Sequence, residues 1–282
     1  MNPLFLVLLA VAPVQDDSAR DLVERLGSDR IDVRDTSSRR LAELGLAAVP
    51  ELEKAAQAND LELASRARAI LEEVLARQSL LRVEDTLKSA KSLHLRFRYE
   101  SSSSDSEEIH QGHGVLKLKD GNRVRMSFSP ERSKSEGFTI VSDGVRLAYE
   151  NSDALFRKPP PSLKEDVSTI FVRRGYLETL KMLFSYSLSE SDAAVFMTPV
   201  RLTSLKRGPD DGEAKSLSYE VVGAGTQETR VKLWYHPKSY LMLKRITQNT
   251  FPIGRTSSLV EYYENLVLEP DIPEDKAAFS RR

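Results

Sequence analysis

Gly112-His113-Gly114-Val115-Leu116-Lys117-Leu118-Lys119, then Asp120-Gly121-Asn122, then Arg123-Val124-Arg125-Met126-Ser127-Phe128, is the stretch that decides the fold class. Apolar residues alternate with Lys and Arg on both sides of an Asp-Gly-Asn turn. That alternation predicts an antiparallel hairpin with one buried face. Upstream, Leu93, Leu95, Phe97 and Tyr99 alternate with His94, Arg96 and Arg98, predicting a further half-buried strand, and Ser101 to Ser106 reads as a loop. Downstream, Phe138–Val141, the turn Ser142-Asp143-Gly144 and Val145–Tyr149 form a second hairpin. Five more strands are predicted at Val200–Lys206, Ser216–Val222, Glu228–His236, Tyr240–Asn249 and Arg255–Val267. Between the two strand groups, Pro159-Pro160-Pro161 leads into Lys164–Ser185, where the apolar spacing turns helical and Gly175 divides the segment. A helix over Leu80–Ser92 precedes the first strand. The order helix, strands, helices, strands predicts an α+β domain: a strongly curved antiparallel sheet with helices covering one face.

Toward the N-terminus the period changes. Leu22, Val23 and Leu26 stop at Gly27, Leu41 and Leu44 stop at Gly45, and Val49, Leu52 and Ala56 follow Pro50 near a helix start. After Asn59-Asp60, a longer helix carries Leu63, Ala67, Ile70, Leu71, Val74 and Leu75. Four helices in antiparallel pairs are expected over residues 16–79. Arg34 with Leu41-Ala42-Glu43-Leu44-Gly45, then Ala48-Val49-Pro50-Glu51-Leu52, then Ser65-Arg66-Ala67-Arg68-Ala69-Ile70-Leu71 resembles a HEAT-like repeat pair. The resemblance implies a docking or scaffolding surface, and two repeats alone need a neighbour to lean on. Met1–Val14 is apolar, too short to span a bilayer, and ends in an Ala10-x-Ala12 pattern. Residues 1–15 therefore read as a signal peptide, with a buried N-terminal helix or strand as the other reading. The expected domains are thus 1–15, 16–79 and 80–282, with residence in the periplasm or cell envelope as an exported protein without a stable membrane span.

Composition removes much chemistry. Among 282 residues, 41 Lys+Arg stand against 42 Asp+Glu, so there is no basic excess to hold nucleic acid. Zero Cys excludes disulfides, thiol nucleophiles and thiolate metal sites, and leaves no acceptor for a lipid anchor after the apolar run. His110 and His113, the closest of the four histidines, lie three apart on a predicted strand and point to opposite faces, which argues against joint metal ligation. Glu107-Glu108 and Asp210-Asp211 read as solvated loop acids. No phosphate loop, nucleophile elbow or zinc-protease helix occurs. No cofactor, metal or catalytic residue is expected, and no enzymatic activity.

Gly112-x-Gly114-x-Leu116-x-Leu118-Lys119, Ile140-Val141-Ser142-Asp143-Gly144-x-x-Leu147-x-Tyr149, Val231-Lys232-Leu233-Trp234-Tyr235-His236-Pro237-Lys238 and the closing Asp271-Ile272-Pro273-Glu274-Asp275-Lys276-Ala277-Ala278-Phe279 resemble the periplasmic lipoprotein carrier (LolA-like) superfamily in order and spacing. Asp120-Gly121-Asn122 stands where the dedicated carrier has a basic residue before Pro-Asn, so the resemblance is to the superfamily, not to that carrier. It implies an incomplete β-barrel closed by helices, with acyl chains held in an apolar cavity.

The residues alone offer the same physics, since one sheet face would present Leu95, Phe97, Leu116, Leu118, Val124, Met126, Phe128, Leu147, Leu217, Tyr219, Val231 and Leu233. Ile170, Phe171, Leu180, Leu183 and Phe184 would face them from the helices. Burying acyl groups is worth about 0.8 kcal/mol per CH₂, so such a lining could hold lipid without specific polar contacts. The same residues also suit a solid core, and the sequence leaves both open. The expected ligand-binding set is Leu95, Phe97, Leu116, Leu118, Val124, Met126, Phe128, Leu147, Phe171, Leu180, Leu183, Phe184 and Leu233, with a lipid or acylated protein as partner. The alternative is an envelope scaffold or regulatory protein that docks a protein partner through residues 16–78.

Overall fold

The computed structural model describes residues 18–90, 92–119, 123–131, 137–144, 147–150, 201–222, 228–252 and 254–268. The chain divides into two compact units at Val74/Leu75.

In the first unit, α1 (Ala19–Leu26) starts at Ser18, whose hydroxyl oxygen accepts the Asp21 N–H at 3.2 Å, and stops at Gly27. The next helix, α2 (Ile31–Leu44), ends at Gly45, where φ is +59°, a conformation that costs glycine nothing. A 3₁₀ turn over Gly45–Ala48 leads into α3 (Val49–Ala55), with Pro50 in its first turn. Asp60 then caps α4 (Leu61–Ser89) by accepting the N–H groups of Glu62 and Leu63 at 2.9 and 3.1 Å. Leu22, Leu26, Leu41, Leu52, Ala67, Ile70 and Val74 close this unit's core. Leu44 departs from its expected place: it is 39% exposed at the last turn of α2.

The two helices expected on either side of Gln78–Leu80 are a single 29-residue helix, α4. Neither Gly nor Pro interrupts Leu61–Ser89, so nothing in the backbone forces a break. Among the described residues no helix is long and apolar enough to cross a membrane.

The second unit is a sheet of β1 (Ser92–Ser103), β2 (Ser106–Lys119), β3 (Arg123–Pro130), β4 (Phe138–Asp143), β5 (Leu147–Glu150), β6 (Arg201–Arg207), β7 (Lys215–Val222), β8 (Glu228–Tyr235), β9 (Met242–Thr250), β10 (Thr256–Tyr263) and the short β11 (Val267–Leu268). Its order is β5-β4-β3-β2-β1-β10-β9-β8-β7-β6, antiparallel throughout, with β11 also paired to β1. Two meanders are thus joined at one seam, where Phe97 lies opposite Tyr263 and Ser101 opposite Leu259. The α+β class and the large antiparallel sheet agree with the sequence reading. Ser101 to Ser106 does not form the expected loop: β1 continues through Ser103 and β2 restarts at Ser106, with only Ser104-Asp105 turning. Backbone pairing with β10 holds these serines in the ladder without any apolar pattern. Glu107 and Glu108, expected in that loop, are exposed residues of β2.

A flat sheet of ten strands would be about 43 Å wide, roughly four helix diameters. Side chains from β1–β4 and β6–β10 are nevertheless buried in one cluster with Ala76, Leu80, Val83 and Leu87 of α4. A sheet curved around its apolar face achieves that burial.

Candidate functional site

The candidate site is the apolar face of the sheet. Its centre lies where β1, β2 and β3 place Phe97, Leu95, Leu116, Val124, Met126 and Phe128, all almost fully buried. The glycines of the opening motif have a steric reason. Gly114 lies opposite Phe97 and Gly112 opposite Tyr99. A Cβ on Gly112 would fall 2.5 Å from Tyr99 Cε1 and 2.8 Å from the Ser129 carbonyl. Both rings therefore fold down over β2, and Tyr99 stacks on Phe128 with centroids 5.2 Å apart. On the other meander, Leu217, Tyr219, Val231 and Leu233 face the same side.

The helix α4 is tied to this face from the β8–β9 turn. There the Leu241 carbonyl accepts the His236 N–H at 2.9 Å, and Tyr240 adopts φ +56°. The Tyr240 ring stacks on Tyr235, and its hydroxyl accepts a hydrogen bond from Arg82 of α4 at 2.7 Å. The Arg82 guanidinium also lies 5.3 Å from the Tyr240 ring centroid.

Of the residues expected to face a ligand, Leu95, Phe97, Leu116, Val124, Met126, Phe128 and Leu233 are brought into one cluster, with Leu118 half-buried at its margin. Leu147 is in β5, paired with Ser142, but its side chain lies outside the described residues. Phe171, Leu180, Leu183 and Phe184 also lie outside them. His113 is exposed, its Nδ1 3.5 Å from Glu131 Oε1, and His110 is exposed further along β2. Among the described residues no group of three His, Asp or Glu could hold a metal ion. The turn role of Ser142-Asp143-Gly144 is plain: the Ser142 hydroxyl oxygen accepts the Gly144 N–H at 3.2 Å, and Gly144 has φ +95°.

Sequence reasoning missed a polar island in this apolar face. Arg245 of β9 and Glu261 of β10 lie directly opposite one another and are 5% and 0% exposed. Glu84, 1% exposed, shares a side of α4 with Leu80 and Leu87. Thr247, next along the core side of β9, is fully buried, and its hydroxyl has no hydrogen-bond partner among the described residues. Burying charge costs several kcal/mol per ion before pairing offsets it, so an apolar face gains no packing from such residues. The available signal was positional: Glu261 occupies an inward slot between Leu259 and Tyr263. A separate open cleft of about 300 Å³ lies at the far ends of β1 and β8–β10, lined by Ser102, Gln248, Thr250, Thr256, Ser258 and their neighbours. Its hydroxyl and amide lining suits polar matter rather than an acyl chain.

No family model matches the chain, and no curated protein matches it. Similar solved structures include a LolA superfamily protein from Nitrosomonas europaea, at 13% identity and TM-score 0.33, covering 73% of this chain and 97% of the other. A putative outer membrane lipoprotein-sorting protein domain from Vibrio parahaemolyticus is similar at 10% identity and TM-score 0.32, covering 73% of this chain and 100% of the other. The Pseudomonas aeruginosa MucA/MucB complex structure is similar at 10% identity and TM-score 0.33, covering 71% of this chain and 59% of the other.

Proposed function

We propose that the protein is an exported, non-enzymatic binding protein of the cell envelope that shelters a lipid or a lipid-modified chain against the apolar face of its sheet, as a carrier does. One observation carries the reading: apolar side chains continue across β1–β4 and β6–β10, with the buried Thr247 hydroxyl set among them without a hydrogen-bond partner among the described residues. A face meant only for packing has no use for a buried hydroxyl left without a partner. A ligand with an apolar length and a polar end does. In this reading β1–β3, with Leu95, Phe97, Leu116, Leu118, Val124, Met126 and Phe128, receive the apolar length together with Leu147, Phe171, Leu180, Leu183, Phe184 and Leu233. Thr247 meets the polar end. Each buried methylene contributes about 0.8 kcal/mol, so a long acyl chain outweighs the ordering and association terms that oppose binding.

Titration with a fluorescent fatty acid tests this. Saturable binding is expected, abolished by Leu118→Arg and by Leu183→Arg and weakened by Thr247→Val, each variant keeping the parent's circular dichroism spectrum. Unchanged binding in all three folded variants would contradict the placement.

A second reading has its own observation. Ile31 and Leu61, 65% and 82% exposed, stand at the starts of α2 and α4, which the Arg34–Glu62 ion pair (3.7 Å) links. Exposed large apolar residues so placed suit a docked protein partner, as a HEAT-like pair offers. A double change to serine at Ile31 and Leu61 then removes partner capture and leaves fatty-acid binding intact.

A further inference from the structure

The face of the sheet opposite the core carries a charge pattern that the apolar site does not use. Across β3, β2 and β1 the outward positions in register read Arg123 and Lys119, then Arg125, Lys117 and His94, with Arg96 next along β1. One step further, Arg98 of β1, Tyr262 of β10, Lys244 of β9 and Trp234 of β8 lie side by side, with Lys232 flanking Trp234 along β8. These cations lie against the two rings. Arg98 is 4.3 Å from the Tyr262 centroid, Lys244 is 5.0 Å from Tyr262 and 5.1 Å from Trp234, and Lys232 is 4.7 Å from Trp234.

Acids are sparse here. Glu100 and Glu264 approach Arg98 at 3.6 and 3.5 Å, Asp143 lies opposite Arg123, and Glu220 and Glu228 approach Arg230 at 3.1 and 3.9 Å. The face therefore keeps an excess of positive charge in a chain whose net charge is −1. His94 reports the local potential: burial, then Lys117 and Arg96, hold its pKa below the ordinary value.

The geometry of the charge selects the partner. Neighbouring strands are about 4.8 Å apart and outward residues repeat about every 6.7 Å along a strand, so the cations form a two-dimensional array. A single acidic peptide matches one line of such an array, whereas a bilayer surface matches its area. The half-buried Tyr262 ring among the cations suits the headgroup level, where amphipathic rings collect, while Trp234, 9% exposed, lies beneath Lys232 and Lys244 and supports them.

We propose that this outer face docks the protein on the surface of an anionic phospholipid bilayer. No residue of the proposed ligand site takes part, so this inference and the ligand reading stand or fall separately.

The test mixes the full chain with vesicles of phosphatidylcholine alone and with vesicles containing roughly 30 mol % phosphatidylglycerol, then measures co-sedimentation. Binding is expected only to the anionic vesicles, and is lost in roughly 1 M salt, where the screening length falls to about 3 Å. Neutralising Lys117 and Arg125 together (K117Q/R125Q) lowers partitioning on the order of 25-fold, about five-fold per cation, and K232Q/K244Q does the same from the other meander. Neutralising Arg20 and Arg40 of the helical unit changes nothing. The proposal is overturned if the parent ignores anionic vesicles while binding polyglutamate. It is overturned equally if the Arg20 and Arg40 control loses as much binding as the sheet variants, or if both sheet variants, folded by circular dichroism, bind as the parent does.

Discussion

Removing Arg245 leaves Glu261 buried opposite an apolar side chain, and the cost follows from the geometry. Glu261 is 0% exposed and lies in register with Arg245, their Cβ atoms within the roughly 4.5–5.5 Å of directly opposed residues. Arg245→Met keeps most of the volume and removes the charge. A buried carboxylate left without its opposite charge destabilises by about 3–5 kcal/mol, and the same range holds for Glu261→Leu, which strands the guanidinium. The double change R245M/E261L removes both charges and restores an apolar surface, so its loss is expected to be smaller than either single loss, within about 1.5 kcal/mol of the parent. Equilibrium urea unfolding, with the transition of each variant fitted at a common slope, supplies the three differences. The cycle then yields a coupling of at least about 4.5 kcal/mol, far beyond the additivity of independent sites. Single losses below about 1 kcal/mol, or a double variant whose loss is the sum of the singles, would refute the reading of these residues as a buried charge pair.

Gly114→Ala places a methyl against the Phe97 ring and the Ser127 carbonyl, so unfolding in urea should show a loss of about 1–3 kcal/mol, whereas a neutral change would mean that the ring lies elsewhere. His94 should titrate below its ordinary value by NMR, and K117Q should move it back up; an unmoved titration would dissociate His94 from Lys117. Because the folded chain takes up that proton less readily than the unfolded chain, His94 subtracts stability as pH falls from the ordinary histidine value through its lower folded one, and has no such effect above both. Replacing Asp60 by Ala leaves the N–H groups of Glu62 and Leu63 without their acceptor and should cost about 0.5–2 kcal/mol in thermal or urea unfolding of the helical unit; no loss would mean that water serves them equally well.

The sheet was legible because its chemistry is two-sided. Along Leu93–Tyr99, Leu116–Lys119 and Arg123–Phe128 every second residue is apolar and most of the others are Lys, Arg or His, and only a strand buried on one face sorts residues in that way. The same rule hid the polar island, since charged residues on a strand are read as outward, and nothing local marks Arg245 as inward beside outward Lys244. Continuity of α4 was hidden for another reason. Its first half buries Ala67, Ile70 and Val74 in one core and its second half buries Ala76, Leu80, Val83 and Leu87 in another. The apolar stripe changes phase between Val74 and Ala76, which in sequence resembles the end of one helix and the start of the next. Ser101–Ser106 was misread because serine supplies no apolar period, while pairing across the β1–β10 seam is a property of the backbone. The candidate ligand residues on β1–β3 were found from alternation alone, and the glycines of the opening motif acquired their reason only once Phe97 and Tyr99 were seen lying over them.

The most direct measurement is of what the protein holds. The full chain, expressed with its N-terminal segment and purified without detergent, is extracted with organic solvent and the extract analysed by mass spectrometry, with Leu118→Arg purified in parallel. A sheltering apolar face predicts acyl lipid close to one equivalent per chain in the parent and none in the variant. A lipid-free extract from the parent, together with no saturable uptake of a fluorescent fatty acid, would mean that the face is a filled core.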